Sequence, residues 1–354
     1  MEPRTDHSFR AKDLDMFFMS VSATKLSSMS TVEMEVFSNA QLVIFTILMF
    51  LGGEIFVSML GLQFEMSKLK RYEQKVEAVN SSSGTSSPSI PRTGIAEEYH
   101  IESGFATMTE VERRAVAFEI RLNLMSKDLI RYQSVKYLGY LAMVLVVGSA
   151  VVSMYIVVVS IAKEVLSNKG LEILTFSVFT TVSTFTNCGF IPTNENMIVF
   201  KNNSGLLLIL IPQVLLGKTL YPSCLRLVIW VLQRFTKRKE FDYLLKNSSD
   251  IGCHHLLTGT HSVFFAATVF GFLVVQLVLF CSVEWNSGVL DGLSSYQKFM
   301  AALFQTVNSR HTGESVVDLS AISPAILVLF VVMMYLPPYT SFLPTREDEH
   351  SPGS

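Results

Sequence analysis

The sequence predicts an all-α polytopic membrane protein in which re-entrant loops dip into the bilayer between spanning helices. Three observations carry this prediction. Hydrophobic residues make up 49% of the chain and charged residues only 16%, whereas soluble proteins average about 25% charged residues. The charges are clustered, so that long apolar runs separate them. A short polar stretch with equivalent flanks occurs three times along the chain.

Long apolar runs supply the predicted spanning helices. A helix needs roughly 20 apolar residues, with a range of about 17–25, to cross a bilayer. The last run of the chain is short, and Pro337-Pro338 ends it. The runs that are long enough, or nearly so, are 40–62, 138–162, 205–232, 263–283 and 322–336.

The repeated polar stretches occupy residues 22–28, 183–189 and 307–313. Each follows an apolar segment that contains Phe, and each precedes a long apolar run after a short polar gap. Polar, non-helical backbone at membrane depth is tolerated only where it is buried in protein or lines a wet cavity. One such stretch is also typical of an ordinary exposed loop, but their recurrence favours three pore loops and an ion pathway.

Ser28, Gly189 and Gly313 end the three stretches and are the predicted ion-selectivity filter. Selective channels hold a dehydrated cation with rings of backbone carbonyls, and glycine reaches the required backbone angles without a Cβ penalty. Short helices predicted over 177–183 and 298–307 would aim their partly negative C-terminal ends into the loops. Ser28 would place a Cβ and a hydroxyl where the other loops have hydrogen, which favours the smaller Na⁺ over K⁺.

Carboxylates follow every predicted filter position. In a pore entrance, acids of one charge sign raise the local cation concentration. The alternative is that membrane–water borders are polar in any case. The predicted outer-mouth acids are Glu33, Glu35, Glu195, Glu314 and Asp318.

Three charged residues lie inside the apolar runs: Glu54, Lys218 and Arg226. Intramembrane charges are rare and usually face the bundle interior, where they are paired or hydrated. Arg226 lies toward the cytosolic end of its run, from which its side chain could reach the interface. Glu54 and Lys218 are deeper, and they either pair with each other or meet water in the pore.

Composition divides the chain into six segments. Lysine and arginine concentrate in two polar linkers, and cytoplasmic loops carry such an excess. The linkers are therefore predicted to be cytosolic and the pore loops extracellular. The segments are a first pore loop with the following helix (1–63), a linker (64–133), a second membrane–pore–membrane repeat (134–232), a second linker (233–257), a third repeat (258–345) and a polar tail (346–354).

Other functional classes find little support in the sequence. A net charge of −2 gives no basis for nucleic-acid binding. An intramembrane enzyme would have to use His254-His255 or His311, but no HExxH, GxSxG or nucleotide-binding loop is present. We therefore expect no enzyme activity, no cofactor, and no metal beyond transported Na⁺ or K⁺. The cysteines lack CxxC spacing, which favours packing over a disulfide or zinc site; they are Cys188, Cys224, Cys253 and Cys281.

In the three polar stretches and the segments that flank them, the sequence resembles the plant high-affinity potassium transporter (HKT) family, within the Trk/Ktr/HKT superfamily. The resemblance implies a potassium-channel-like fold of four membrane–pore–membrane repeats around one pore, in the plasma membrane of a plant cell. It also implies sodium selectivity, because members with Ser at the position of Ser28 are sodium-selective. The matching stretches are SVSATKLSSMSTVEMEVFSN, LGGEIFVSMLGLQFE, FTTVSTFTNCGFIPTNENMIVF, NSRHTGESVVDLS and VLFVVMMYLPPYTSFLP.

The sequence departs from the family pattern in ways that leave two functions open. The helix before the first loop and the fourth repeat are expected to be missing. Lys25 and Lys218 stand where the family usually has uncharged residues, and fixed positive charge there should repel Na⁺. The chain is then either a Na⁺ transporter or channel, or a truncated, non-conducting form that binds and modulates full-length relatives. Expected partners are Na⁺, K⁺, the lipid bilayer, and a second copy or a full-length homologue.

Overall fold

A computed structural model describes residues 12–61, 63, 64, 67, 138–221, 259–310 and 312–335, with six further positions between 223 and 234. These residues form helices and connecting turns, and the described part of the chain contains no β-strand. The chain divides into two compact units. One unit comprises Met1–Glu54 and Leu141–Ser354, and the other comprises Ile55–Tyr140.

Ten α-helices, numbered here in chain order, make up most of the described residues. Short 3-10 turns at Met34–Val36, Asn196–Phe200 and Leu319–Ala321 follow three of them. The helices are α1 (Asp13–Lys25), α2 (Asn39–Gly52), α3 (Glu54–Gly61), α4 (Leu138–Val158), α5 (Ser160–Asn168), α6 (Ile173–Thr186), α7 (Ser204–Val214), α8 (Gly259–Glu284), α9 (Ser295–Arg310) and α10 (Pro324–Tyr335).

Within the described part of the chain, two helices are long and apolar enough to cross a membrane. They are Leu138–Val158 and Ser262–Glu284, and α2 with α3 adds a third if this bent pair forms one span. Both long helices fall on predicted apolar runs, and both expose large apolar side chains such as Val146 and Val278. Contiguous exposed apolar surface is unusual in soluble proteins and typical of a membrane-facing helix. The predicted membrane protein and its helical class are therefore supported.

The other predicted spans are shorter or interrupted. Gly53 separates α2 from α3, and α10 covers Pro324–Tyr335 at the edge of the described residues. In α7, Pro212 lies inside the helix, which passes into a π-helical turn at Leu215–Thr219. Proline lacks the N–H that an α-helix requires, and single π-turns often lie at functional sites.

Side-chain caps explain where two of the helices begin. Ser38 precedes α2, and its hydroxyl accepts from the Gln41 N–H while the Gln41 side chain accepts from the Ser38 N–H. Ser294 and Gln297 make the same reciprocal pair before α9. A Ser followed three residues later by Gln satisfies two N–H groups that would otherwise lack partners at a helix start.

One structural pattern occurs three times along the chain. Helices α1, α6 and α9 each end three residues before Ser28, Gly189 or Gly313, and a turn, a 3-10 segment and a further apolar helix follow. Helices α6 and α9 run from residue 173 and residue 295, so both extend beyond the short helices predicted over 177–183 and 298–307. Both helices also end three residues later than predicted, at Thr186 and Arg310.

These helices pack as an alternating series. Helix α1 packs on α2, α2 on α6, α6 on α7, α7 on α9, and α9 on α10, while α8 packs on both α9 and α10. Each helix that leads into a loop therefore lies against the helix that leaves the same loop. Helix α2 leaves the first loop and lies against α6, which leads into the second, and α7 lies against α9 in the same way. Helix α10 is the last described helix.

Helix α6 lies deep in the interior, and every residue from 179 to 186 is buried. Five of these eight residues carry hydroxyls, which are costly to bury without a hydrogen bond. Two of them donate to carbonyls four residues earlier, Thr184 to Thr180 at 2.6 Å and Thr186 to Val182 at 2.8 Å. The helix itself thus satisfies part of its buried polarity.

Two glycines let the following helices approach these helix ends closely. A Cβ on Gly52 would lie 1.9 Å from the Thr24 carbonyl oxygen, near the end of α1. A Cβ on Gly217 would lie 1.9 Å from the Phe185 carbonyl oxygen, near the end of α6. The same contact therefore occurs in the first and second copies of the pattern, and both require a residue without a side chain.

We predict that Gly52→Ala and Gly217→Ala each destabilise the protein by about 1–3 kcal/mol, because a methyl group there overpacks a backbone contact. The measurement is the thermal unfolding midpoint of the purified chain in detergent. Gly271→Ala is the matched control, since a Cβ at Gly271 meets nothing within 4 Å. Equal midpoints for all three variants would contradict the prediction.

Candidate functional site

The structure brings the three predicted filter positions together. A Cβ on Gly189 would lie 3.3 Å from the Ser28 Cβ, and a Cβ on Gly313 would lie 4.0 Å from the Ser28 Oγ. These residues are more than a hundred positions apart in the sequence, yet the three turns meet at one point. We call this meeting point of Ser28, Gly189 and Gly313 the loop junction.

All three residues adopt the left-handed backbone conformation, with φ of 51° at Ser28, 81° at Gly189 and 78° at Gly313. Glycine adopts these angles without steric cost, whereas a residue with a Cβ rarely does so. Gly189 has a second constraint, because a Cβ there would lie 1.9 Å from the Thr312 carbonyl oxygen. Serine is thus accommodated in the first loop, but Gly189 has no room for a side chain.

Each of the three turns continues the hydrogen bonding of the helix before it. The N–H groups of Ser27, Cys188 and Gly313 donate to carbonyls five residues earlier, at 3.1, 2.9 and 2.8 Å. Leu26 and Asn187 cap α1 and α6 in the left-handed conformation. This arrangement satisfies carbonyls at the helix ends and turns the chain sharply toward the loop junction.

Cys188 connects the second loop to the first. Its side chain is fully buried, and its sulfur faces the backbone of Ser28 and of Phe190. The described cysteines, Cys188, Cys224 and Cys281, are free thiols. Cys188 thus packs beside the loop junction, in agreement with its predicted packing role.

The structure places Glu314 in the interior, away from the surface at which an outer-mouth acid was expected. Its side chain is fully buried, and its Oε1 lies 3.0 Å from the Thr184 hydroxyl oxygen of α6. The sequence could not show this, because the carboxylate follows a turn whose direction depends on packing between α6 and the third loop. A carboxylate enclosed by protein does not present its charge to ions outside.

Glu33, Glu35 and Glu195 lie together but are bound to other side chains. The Lys169 Nζ lies 2.5 Å from Glu35 Oε1 and 2.6 Å from Glu195 Oε2. Asn194 donates from its side-chain amide to Glu33 at 2.7 Å and from its backbone N–H to Glu35 at 3.2 Å. This group of five residues, which we call the Lys169 cluster, ties the first loop to the second.

The Lys169 cluster shifts the titration of two of its members. Burial alone would lower the pKa of Lys169, but hydrogen bonds to Glu195 and Glu35 and the charges of both carboxylates raise it above its ordinary value. The hydrogen bond from Lys169 lowers the pKa of Glu195. Lys169 was missed in the sequence because it follows α5, far in the chain from the acid of the first loop. It cancels part of the negative charge expected at this surface.

Asp318 remains an exposed acid. Its carboxylate accepts from the Ser320 N–H at 2.9 Å and from the Ser320 hydroxyl at 2.8 Å. The hydrogen bond from the Ser320 hydroxyl is the main cause that lowers the pKa of Asp318, and the one from the Ser320 N–H lowers it further. Asp318 therefore also caps the 3-10 turn that leads toward α10.

Two side chains that the sequence analysis did not single out hold the segment after Gly313. Gln305 of α9 accepts from the Val316 N–H at 3.1 Å. Asn196, with a φ of 57°, accepts from the Ser315 N–H at 3.2 Å. The Met197 N–H in turn donates to the Ser315 carbonyl at 2.9 Å. In the sequence, the one indication of the role of Asn196 is that Asn adopts left-handed backbone angles more readily than most residues.

The structure describes the three predicted intramembrane charges only in part. Glu54 begins α3 and is half-buried, and Arg226 is half-buried as well. Lys218 lies in the π-helical turn, and its side chain is outside the described residues. A Glu54–Lys218 pair therefore stays a prediction. The roles considered for His254, His255, His311 and Cys253 also stay predictions, because these residues lie outside the described part of the chain.

Comparison with known proteins identifies the family. The sequence profile of the TrkH family, described as cation transport protein, matches residues 104–342. The chain belongs to the TrkH family. It is similar to the sodium transporter HKT1 of Arabidopsis thaliana, at 48% identity over 98% of this chain and 65% of that protein. The cation transporters HKT1;3 and HKT2;4 of Oryza sativa subsp. japonica are 44% and 38% identical over 99% of this chain and 65% of each relative.

The comparisons confirm the resemblance to the HKT family. This TrkH family chain spans about two thirds of the length of these relatives, 65% in each case. All three relatives carry transporter names, which gives no support to the alternative of a non-conducting modulator. The loop junction of this family member lies partly within the profile match, which includes Gly189 and Gly313.

We predict that Lys169→Met lowers the stability of this TrkH family chain and flattens its response to acid. The pKa of Glu195 is lower in the folded protein than its ordinary value of 4.5. Glu195 therefore stabilises the fold at pH values above 4.5, and this stabilisation is lost as the pH falls through the pKa of the folded protein. The effect should be small, about 0.2–1 kcal/mol, because Glu195 is half-exposed. The measurement is the unfolding midpoint as a function of pH in detergent. Lys163→Met, on an exposed position of α5, is the control and should leave the acid response intact.

Proposed function

We propose that this chain forms part of a monovalent-cation transporter or channel, in which Na⁺ passes the backbone carbonyls around Ser28, Gly189 and Gly313. One observation carries the proposal: three left-handed turns, each ending a helix of the same pattern, meet at the loop junction. Membership of the TrkH family and the transporter names of its relatives agree with this function.

The chemistry of the loop junction suits a cation better than an anion. A permeating cation must exchange its water shell for oxygens of similar strength, and backbone carbonyls supply them. Helices α1, α6 and α9 all end three residues before the junction, so their C-terminal ends direct partial negative charge toward it. The carboxylates close to the loops are less important, because Lys169 binds two of them and Glu314 is enclosed.

Ser28 supports selectivity for Na⁺ over K⁺. Its side chain is exposed at the junction. Its Cβ lies 3.3 Å from the position of a Cβ on Gly189, and its Oγ lies 4.0 Å from the position of a Cβ on Gly313. A side chain at this point narrows the space that the carbonyls enclose. A narrower ring favours the ion that is coordinated by fewer and closer oxygens. The relative named as a sodium transporter has the highest identity of the three described above.

The proposal includes a location and an orientation. We place the chain in the plasma membrane as a multi-pass protein, with the three loops outside the cell and the linkers 64–133 and 233–257 in the cytosol. The excess of Lys and Arg in both linkers supports this orientation. Four repeats in total would surround the pore in the complete assembly, whether from one polypeptide or from several.

We predict that Ser28→Gly shifts the Na⁺/K⁺ permeability ratio toward K⁺ by roughly tenfold, the size expected if the lost side chain contributes about 1.4 kcal/mol of discrimination. Reversal potentials in ion-replacement recordings measure the ratio. The recordings compare the chain alone with the chain completed by the segments of the Arabidopsis relative that it does not cover. Ser30→Gly, in the same exposed loop, is the control. Absence of Na⁺ current from the completed chain, at normal surface expression, would overturn the proposed function.

We predict a glycan at Asn202, because Asn202-Asn203-Ser204 matches the acceptor pattern and Asn202 is exposed at the start of α7. The matching sites at Asn80 and Asn247 lie in the linkers and should stay unmodified. Glycosidase treatment of the chain and of Asn202→Gln, followed by a gel shift, measures this. A glycan at Asn80 or Asn247 would reverse the proposed orientation.

A further inference from the structure

The Glu314 side chain joins the third loop to α6 at a second point beside the loop junction. The first point is the close approach of the Thr312 carbonyl to Gly189, which leaves no space for a Cβ. The second is the contact between Glu314 and Thr184, at 3.0 Å. Both members of the second contact are fully buried. Two attachments so close together restrict how the two loops can move relative to each other.

The third loop is also tied down on its own side. The Thr312 hydroxyl lies against the Asn308 side-chain oxygen, and the Glu314 N–H donates to the Thr312 hydroxyl at 3.3 Å. Thr312 and Glu314 therefore belong to one hydrogen-bonded turn. A displacement of the Glu314 side chain is transmitted to the Thr312 carbonyl, which packs on Gly189.

We propose that Glu314 is a positioning residue, whose contact with Thr184 sets the spacing of the second and third loops and thereby the discrimination among monovalent cations. This inference rests on the proposed function, because it assigns Glu314 a role in ion selection. It replaces the role of an outer-mouth acid. The group acts through the Thr312 and Gly189 backbone rather than by attracting ions with its charge.

The geometry defines which substitutions should preserve this contact. The Thr184 hydroxyl has one hydrogen and two oxygens within reach, the Thr180 carbonyl at 2.6 Å and Glu314 at 3.0 Å. A Gln side chain can both donate and accept, so Glu314→Gln fits whichever way the hydroxyl points. Thr184→Ser keeps the hydroxyl. Thr184→Val and Glu314→Ala remove the contact while leaving the rest of the loop sequence unchanged.

The first test measures reversal potentials of the completed chain in Na⁺ and K⁺ solutions. Thr184→Val and Glu314→Ala should each change the permeability ratio by roughly 2- to 10-fold, the range that corresponds to one ordinary hydrogen bond. Thr184→Ser and Glu314→Gln should retain the ratio of the unmodified protein. Thr186→Val is the matched control, since its buried hydroxyl donates to the Val182 carbonyl of its own helix.

Ionic strength separates positioning from charge attraction. If Glu314 attracted cations, Glu314→Gln would reduce current as much as Glu314→Ala, and most strongly at low salt. Positioning instead predicts a change in ratio that is independent of salt, with rescue by Gln. Equal loss in the Gln and Ala variants would overturn the inference, and so would an unchanged ratio in Thr184→Val.

A second measurement does not require conduction. Hydrogen–deuterium exchange of the purified chain in lipid nanodiscs reports the backbone of residues 312–317. Thr184→Val and Glu314→Ala should increase exchange there several-fold, whereas Glu314→Gln and Thr186→Val should not. If the completed chain without substitutions carries no current, the proposed function fails, and this measurement still decides whether Glu314 holds the loop. Unchanged exchange in Thr184→Val and Glu314→Ala would overturn the positioning role.

Discussion

Close backbone contact between loops is the constraint on which the rest of the described structure depends. The Thr312 carbonyl occupies the space that a side chain at Gly189 would need. The left-handed angles at Ser28, Gly189 and Gly313 then turn three chains toward one point. Gly52 and Gly217 bring the following helices onto the ends of α1 and α6 in the same manner. Main-chain atoms therefore make the close contacts at the loop junction and at these helix ends.

The segments around the loop junction bury polar groups away from water, and surrounding side chains satisfy several of them. Gln305 and Asn196 accept from N–H groups of the segment after Gly313. Hydroxyls of α6 bond to carbonyls of their own helix. Because an unpartnered polar group in the interior is costly, these side chains also fix the position of the loops. The polar side chains of this region therefore hold the loop backbone in place.

Charge near the loops is more balanced than the number of acids implies. Lys169 bridges Glu35 and Glu195 and Glu314 is enclosed, whereas Glu33 and Asp318 are exposed. Under the proposed function, the attraction for a cation then comes mainly from carbonyl oxygens and helix ends.

Local sequence patterns were sufficient to predict the helical membrane class, two long spanning helices, the turns at Ser28, Gly189 and Gly313, and the family. Apolar run length and the residues of a turn are local properties, and recurrence is visible along the linear sequence, so that all three can be recognised without knowing how the chain packs. The meeting of the three turns, the burial of Glu314 and the pairing of Lys169 with two acids depended on tertiary structure. Residues 130 positions apart come into contact in the Thr184–Glu314 pair, and no local pattern records how distant helices pack. A carboxylate after a glycine reads the same in sequence whether its turn faces solvent or the protein interior.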